Sequence, residues 1–174
     1  MMEKIVYDNQ FNGNEWFVIG MAVIGLTAVW LLPRRFSPAH ATFNLLIGVT
    51  FGLMFDHAIA IPPFDLYDAG DNSTYEWIDL FSYFMYAPFG YLFIYGYERL
   101  RMFEIMTVVY ILFWALVSIG FEWLAVKAGV FHYKHGYHIS YSFPIYLFLM
   151  SIHLSLYRMA FSRVRWQSKR SKEV

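Results

Sequence analysis

Cysteine is absent from the 174 residues, which excludes disulfides, thiolate metal ligands and a thiol nucleophile. Charge is scarce: 13 basic and 13 acidic residues make up 15% of the chain, where a soluble domain carries about a quarter. That leaves too little polar surface to solvate a globule. The even balance of signs gives no net basic face, so nucleic acid is not expected as a partner. The usual catalytic signatures are missing too, with no G-x-S-x-G elbow, H-E-x-x-H pair, phosphate loop or dinucleotide glycine pattern. The chain is instead 59% hydrophobic, with 18 Phe, 14 Tyr and 6 Trp and a mean hydropathy of +0.42.

Five runs reach the length of about 20 residues that a helix needs to cross a hydrocarbon core of roughly 30 Å: 16–32, 41–61, 77–97, 105–126 and 139–157. The expected fold is therefore all-α, an integral membrane bundle of five transmembrane helices forming a single membrane domain over 1–174. The first run follows the acids Glu3, Asp8 and Glu15, precedes Arg34 and Arg35, and lacks a small-residue cleavage site. It reads as a retained span, not a signal peptide.

Basic residues set the orientation. Arg34, Arg35, Arg99, Arg101, Arg158, Arg163, Arg165, Lys169, Arg170 and Lys172 share one side, against Lys4, Lys127 and Lys134 on the other. The positive-inside rule then places the amino terminus outside and the carboxyl terminus in the cytoplasm. The tail 158–174 is basic and suits anionic lipid headgroups. The bilayer is thus the first expected partner, and a membrane-protein partner or a homo-oligomer stays open.

Polar residues within the runs fall in rows. Asn44, Gly48, Gly52 and Asp56 stand at steps of four, Asp79, Tyr83, Tyr86 and Gly90 share a face, and Thr107, Tyr110, Trp114, Ser118 and Glu122 form a third row. A fourth holds Ser142, Tyr146, His153 and Tyr157. Polar groups avoid lipid, so spans two to five are expected to form a four-helix bundle with these rows inward and span one packed outside, against lipid and one flank of the bundle. Gly48 and Gly52 form a G-x-x-x-G pair suited to close helix packing, and Pro88 is expected to kink span three. His153, between Ser151 and Ser155, reads as an interhelical hydrogen-bond donor.

Depth adds a second pattern. At about 1.5 Å per residue, Asp56, Asp79 and Glu122 all fall within roughly 8 Å of the outer boundary. With His57 beside Asp56 they form a candidate polar cluster near the outer face. His132, His135 and His138 make an H-x-x-H-x-x-H series whose imidazoles, joined to carboxylate, are ordinary ligands for zinc, iron or manganese. The intervening Lys134 and Gly136 suggest a turn, and no standard zinc spacing is matched. A divalent metal at these histidines is the one cofactor left open, and none is otherwise expected.

Asp79-Leu80-Phe81, Glu122-Trp123-Leu124-Ala125-Val126-Lys127 with Gly129, and Tyr133, Gly136 and Tyr137 leading to Tyr141-Ser142-Phe143 give the last hundred or so residues a likeness. They resemble an uncharacterised family of small five-span membrane proteins of spore-forming Gram-positive bacteria. The resemblance implies a five-helix protein of the bacterial cell membrane and brings no established activity or ligand. Three functions follow from the rows and the acids. The first is a structural or accessory membrane subunit with a hydrogen-bonded polar interior. The others are a small cation, proton or solute transporter lined by spans two to five, and a membrane enzyme with a carboxylate and histidine site near the outer face.

Overall fold

The computed structural model describes residues 11–70, 77–101 and 103–170, with the side chains at 56, 77–80 and 162–170 outside the described set. Five long helices carry the chain: α1 (Gly13–Leu31), α2 (Pro38–Ile59), α3 (Trp77–Leu100), α4 (Glu104–Lys127) and α5 (Ser142–Arg170). Two short strands, β1 (Tyr67–Ala69) and β2 (Phe131–Tyr133), pair antiparallel with Tyr67 opposite Tyr133 and Ala69 opposite Phe131. Four of the helices, α1, α2, α4 and the segment 139–161, are long and apolar enough to cross a membrane.

Local chemistry sets the helix ends. Asn12 caps α1 by accepting from Asn14 N at 3.2 Å, while Glu15 Oε2 reaches back to Asn12 N at 2.7 Å, which closes a capping box. Ser37 caps α2 ahead of Pro38 at the first helical position. Gly129 ends α4 with a φ of +79°, a backbone state that a residue with a Cβ adopts reluctantly. α5 runs on through the basic segment to Arg170, because Arg, Met, Ala and Gln offer no break.

Packing departs from the expected bundle. α3 is the central helix, held between α1 and α2, while α4 pairs with α5. Its enclosure explains its composition. Facing other helices on most sides, α3 buries Tyr83, Tyr91, Phe93, Ile94, Tyr95 and Tyr97, and tyrosine is affordable there because its hydroxyl finds protein partners. The same tyrosines keep α3 out of the apolar set. Span one packs on α3: a Cβ at Gly25 would fall 2.7 Å from Cγ of Pro88, so the proline ring of α3 seats against a glycine of α1.

The polar rows face inward, with Asn44, Thr107, Tyr110, Ser118, Glu122, Ser142, His153 and Tyr157 all buried. Outward, α4 shows Ile105, Val108, Val109, Leu112, Phe113 and Leu116, and α1 shows Trp16, Val23, Ile24 and Trp30. Apolar outside and polar inside is the pattern that a hydrocarbon surrounding selects. Ser151 and Ser155, exposed on α5, donate to the carbonyls of Leu147 and Ser151 at 2.7 and 2.8 Å, which removes their hydroxyls from competition with lipid.

Candidate functional site: a cavity around Glu122

The close approach of α2 and α3 is made by glycine. A Cβ at Gly48 would collide with the Tyr86 carbonyl, and one at Gly90 with the Asn44 carbonyl. Beside this crossing the five helices and the strand pair line a partly open cavity of about 170 Å³. α1 supplies Phe17 and Met21, α2 Phe51 and Phe55, α3 Tyr86 and Phe89, α4 Ser118, Phe121 and Glu122, α5 Ser142, Tyr146 and His153, and the outer loops Tyr67, Phe131, Tyr133 and Tyr137. The 11 steps from Ser142 to His153 along α5 span about 16 Å, half the thickness of a hydrocarbon core.

Glu122 stands in the wall of this cavity with 7% of its surface exposed. Its Oε1 accepts from the Tyr133 hydroxyl at 2.5 Å and from Ser142 Oγ at 2.6 Å. Ser142 has spent its one proton on the carboxylate, so the Tyr137 hydroxyl, 2.9 Å away, donates to Ser142. The Tyr146 hydroxyl also faces Glu122. Oε2 is buried with no hydrogen-bond partner. Burial, then the bond to Glu122, raises the Tyr133 phenol well above its ordinary value, and burial raises Tyr137. Both loop tyrosines therefore remain donors at physiological pH.

At the inner end, His153 Nε2 lies 2.9 Å from Asn44 Oδ1, and Asn44 Nδ2 donates to the His40 carbonyl at 2.8 Å. A carbonyl only accepts, so the Asn44 oxygen faces the imidazole and Nε2 carries the proton. Nδ1 is left as the acceptor. The ring lies among Phe51 and Phe93.

The structure thus brings together Glu122, Ser118, Tyr86, His153, Gly48 and Gly52 around one space, with Asn44 behind His153. Tyr83 is buried on α3. Asp56 lies on α2 and Asp79 on α3, but the side chains of both fall outside the described residues. His57 is exposed, and its Nδ1 bonds the Leu53 carbonyl at 2.9 Å. The three loop histidines have separate surroundings. His132 pairs with Asp68 in the strand register, His135 Nδ1 bonds the Asp65 carbonyl at 2.7 Å, and His138 caps the turn at Ser140. Among the described residues no group of three His, Cys, Asp or Glu is placed to hold a metal.

Sequence reasoning missed the partners of Glu122. Tyr133 and Tyr137 lie in a loop, and their convergence on an acid in α4 depends on the strand pairing that folds this loop back over the helix ends. A usable signal existed: a buried carboxylate requires donors, and Tyr133, Tyr137, Ser140, Tyr141 and Ser142 are the next hydroxyls in the chain, three of which form the network. Comparison with protein-family models, with curated proteins and with solved structures returns no match.

Proposed function

We propose that this chain is a five-span protein of a bacterial cell membrane, amino terminus outside, that binds a small, largely apolar solute within its helix bundle as a carrier does. The observation that carries this reading is the cavity of about 170 Å³ with Glu122 buried in its wall. Helix interiors elsewhere pack nearly as densely as organic crystals, so a partly open cavity of this size between the helices is a place that a molecule from the surroundings can enter and fill. Apolar walls with a few polar groups at the ends are the ordinary form of a small-molecule site. The 24 residues of α3 extend about 36 Å, long enough to serve as the fifth span.

A second reading, a structural or accessory subunit, draws support from the closed bonds of the interior, such as Asn44 to His153 and Tyr110 to the Phe93 carbonyl at 2.6 Å. The two readings part on occupancy. In nanodiscs, small aromatic and aliphatic solutes are expected to raise the melting temperature of the full chain, since a ligand at a hundredfold its Kd stabilises by about 2.7 kcal/mol. Leu149→Trp, which puts an indole into the cavity, is expected to abolish the shift. Solutes that stabilise this variant as much as the wild type, or a panel that shifts neither, would remove the carrier reading.

A further inference from the structure

We infer that the ligand of this cavity is an organic ammonium ion, an apolar molecule bearing a tertiary or quaternary amine. The inference rests on the binding reading above and names its substrate class. Of the 25 residues lining the cavity, six are phenylalanine and five tyrosine, and among these described lining residues Glu122 is the one acid, with no Lys or Arg.

Each part of that list selects against an alternative. A carboxylate held away from water needs a countercharge or a full set of donors, and Glu122 has donors on Oε1 while Oε2 has none. An anion would add like charge to that wall. A neutral hydrocarbon would suit the rings and leave the carboxylate without a countercharge. A small inorganic cation would have to replace its hydration shell with several oxygen ligands, whereas this wall offers rings in most directions. An alkylammonium spreads its charge over methyl and methylene groups, and aromatic rings, of which Phe51, Tyr86, Phe121 and Phe131 line the cavity, attract that charge without replacing water ligand by ligand. The carboxylate then supplies the neutralising charge.

The test is a matched pair measured on the full chain in nanodiscs by equilibrium dialysis, with empty nanodiscs as the lipid background. Benzyltrimethylammonium and 2,2-dimethylpropylbenzene share shape and differ by nitrogen for carbon. The cation is expected to bind at least tenfold more tightly. Glu122→Gln is expected to lower cation affinity at least tenfold and leave the neutral compound within twofold. Should that variant fail to fold, Phe121→Leu keeps the site apolar while removing one ring face, and a three- to tenfold loss for the cation alone is expected. Equal affinity for the two compounds would overturn the ammonium assignment and leave the cavity as a binding site. Saturable binding of neither compound would overturn both readings.

Discussion

At the residue scale the fold is organised by polar groups that have no water to turn to. Glu122 is satisfied on one oxygen by Tyr133 and Ser142, and Ser142 in turn by Tyr137. Removing a donor to a buried charged group costs about 1–3 kcal/mol. Tyr133→Phe and Ser142→Ala are each expected to destabilise by that amount in reversible unfolding measured in detergent. The double variant should cost less than the sum, because both hydroxyls serve one oxygen and the network acts together; strict additivity would mean that the two donors are independent. Glu122 stood out in the sequence by depth, and Asn44 and His153 by polarity within apolar runs. Their pairing did not, since His153 meets Asn44 across 109 positions and Glu122 meets Tyr133 only through a folded loop. Polarity in an apolar run marks a residue that needs a partner and leaves the partner's identity to the tertiary fold.

At the scale of elements, the ends of α1 to α4 were readable to within three residues, because a crossing needs a continuous apolar run, whereas α5 continues thirteen residues beyond the expected end at 157, to Arg170, because the basic segment ends the apolar run and not the helix. Which helix sits in the middle was not readable. Low hydropathy in α3 reflects a helix surrounded by other helices, and the same composition in an isolated run looks like a weaker span. The glycines state the contact more directly. Gly48 and Gly90 lie where the α2 and α3 backbones touch, whereas a Cβ at Gly20 would meet nothing within 4 Å. Gly48→Ala and Gly90→Ala are therefore expected to cost about 2 kcal/mol or more by forcing the helices apart. Gly20→Ala should be neutral or stabilising by up to about 1 kcal/mol through lower backbone entropy in the unfolded chain. Thermal unfolding of the three variants checks the ranking, and equal effects at all three sites would refute the close crossing.

At the scale of the whole molecule, the loops after α2 and α4 are fastened together. The acids of the loop after α2, Asp65 and Asp68, are met by Lys134 from the loop after α4, at 2.8 and 3.0 Å. The hydrogen bond to Asp65, the largest cause, raises the Lys134 ammonium above its ordinary value of 10.5. A raised lysine contributes its stabilisation fully below pH 10.5 and loses it as pH climbs through the higher folded value. Protection of residues 66–70 against hydrogen exchange, taken relative to the intrinsic rate at each pH, is expected to fall as pH climbs above that value in the wild type, to be reduced already at neutral pH in Lys134→Ala, and to fall later still in Lys134→Arg, whose guanidinium stays charged.

The same fastening bears on the number of crossings. β1 and β2 pair, so residues 69 and 131 lie together at one end of the helices. Between them run α3 and α4, and α4 is long and apolar enough to cross. If α4 crosses, a chain that starts and ends on one side crosses an even number of times, and the five-span proposal therefore has α3 cross as well despite its tyrosines. Because the chain has no cysteine, single substitutions report on this directly. Phe64→Cys and Ser140→Cys should react with a membrane-impermeant maleimide on intact cells, while Arg35→Cys and Phe103→Cys should react only after lysis. All four positions are exposed. Labelling of residues 64 and 103 from the same side would deny α3 its crossing, and with it the five-span orientation on which the outer position of Glu122 depends.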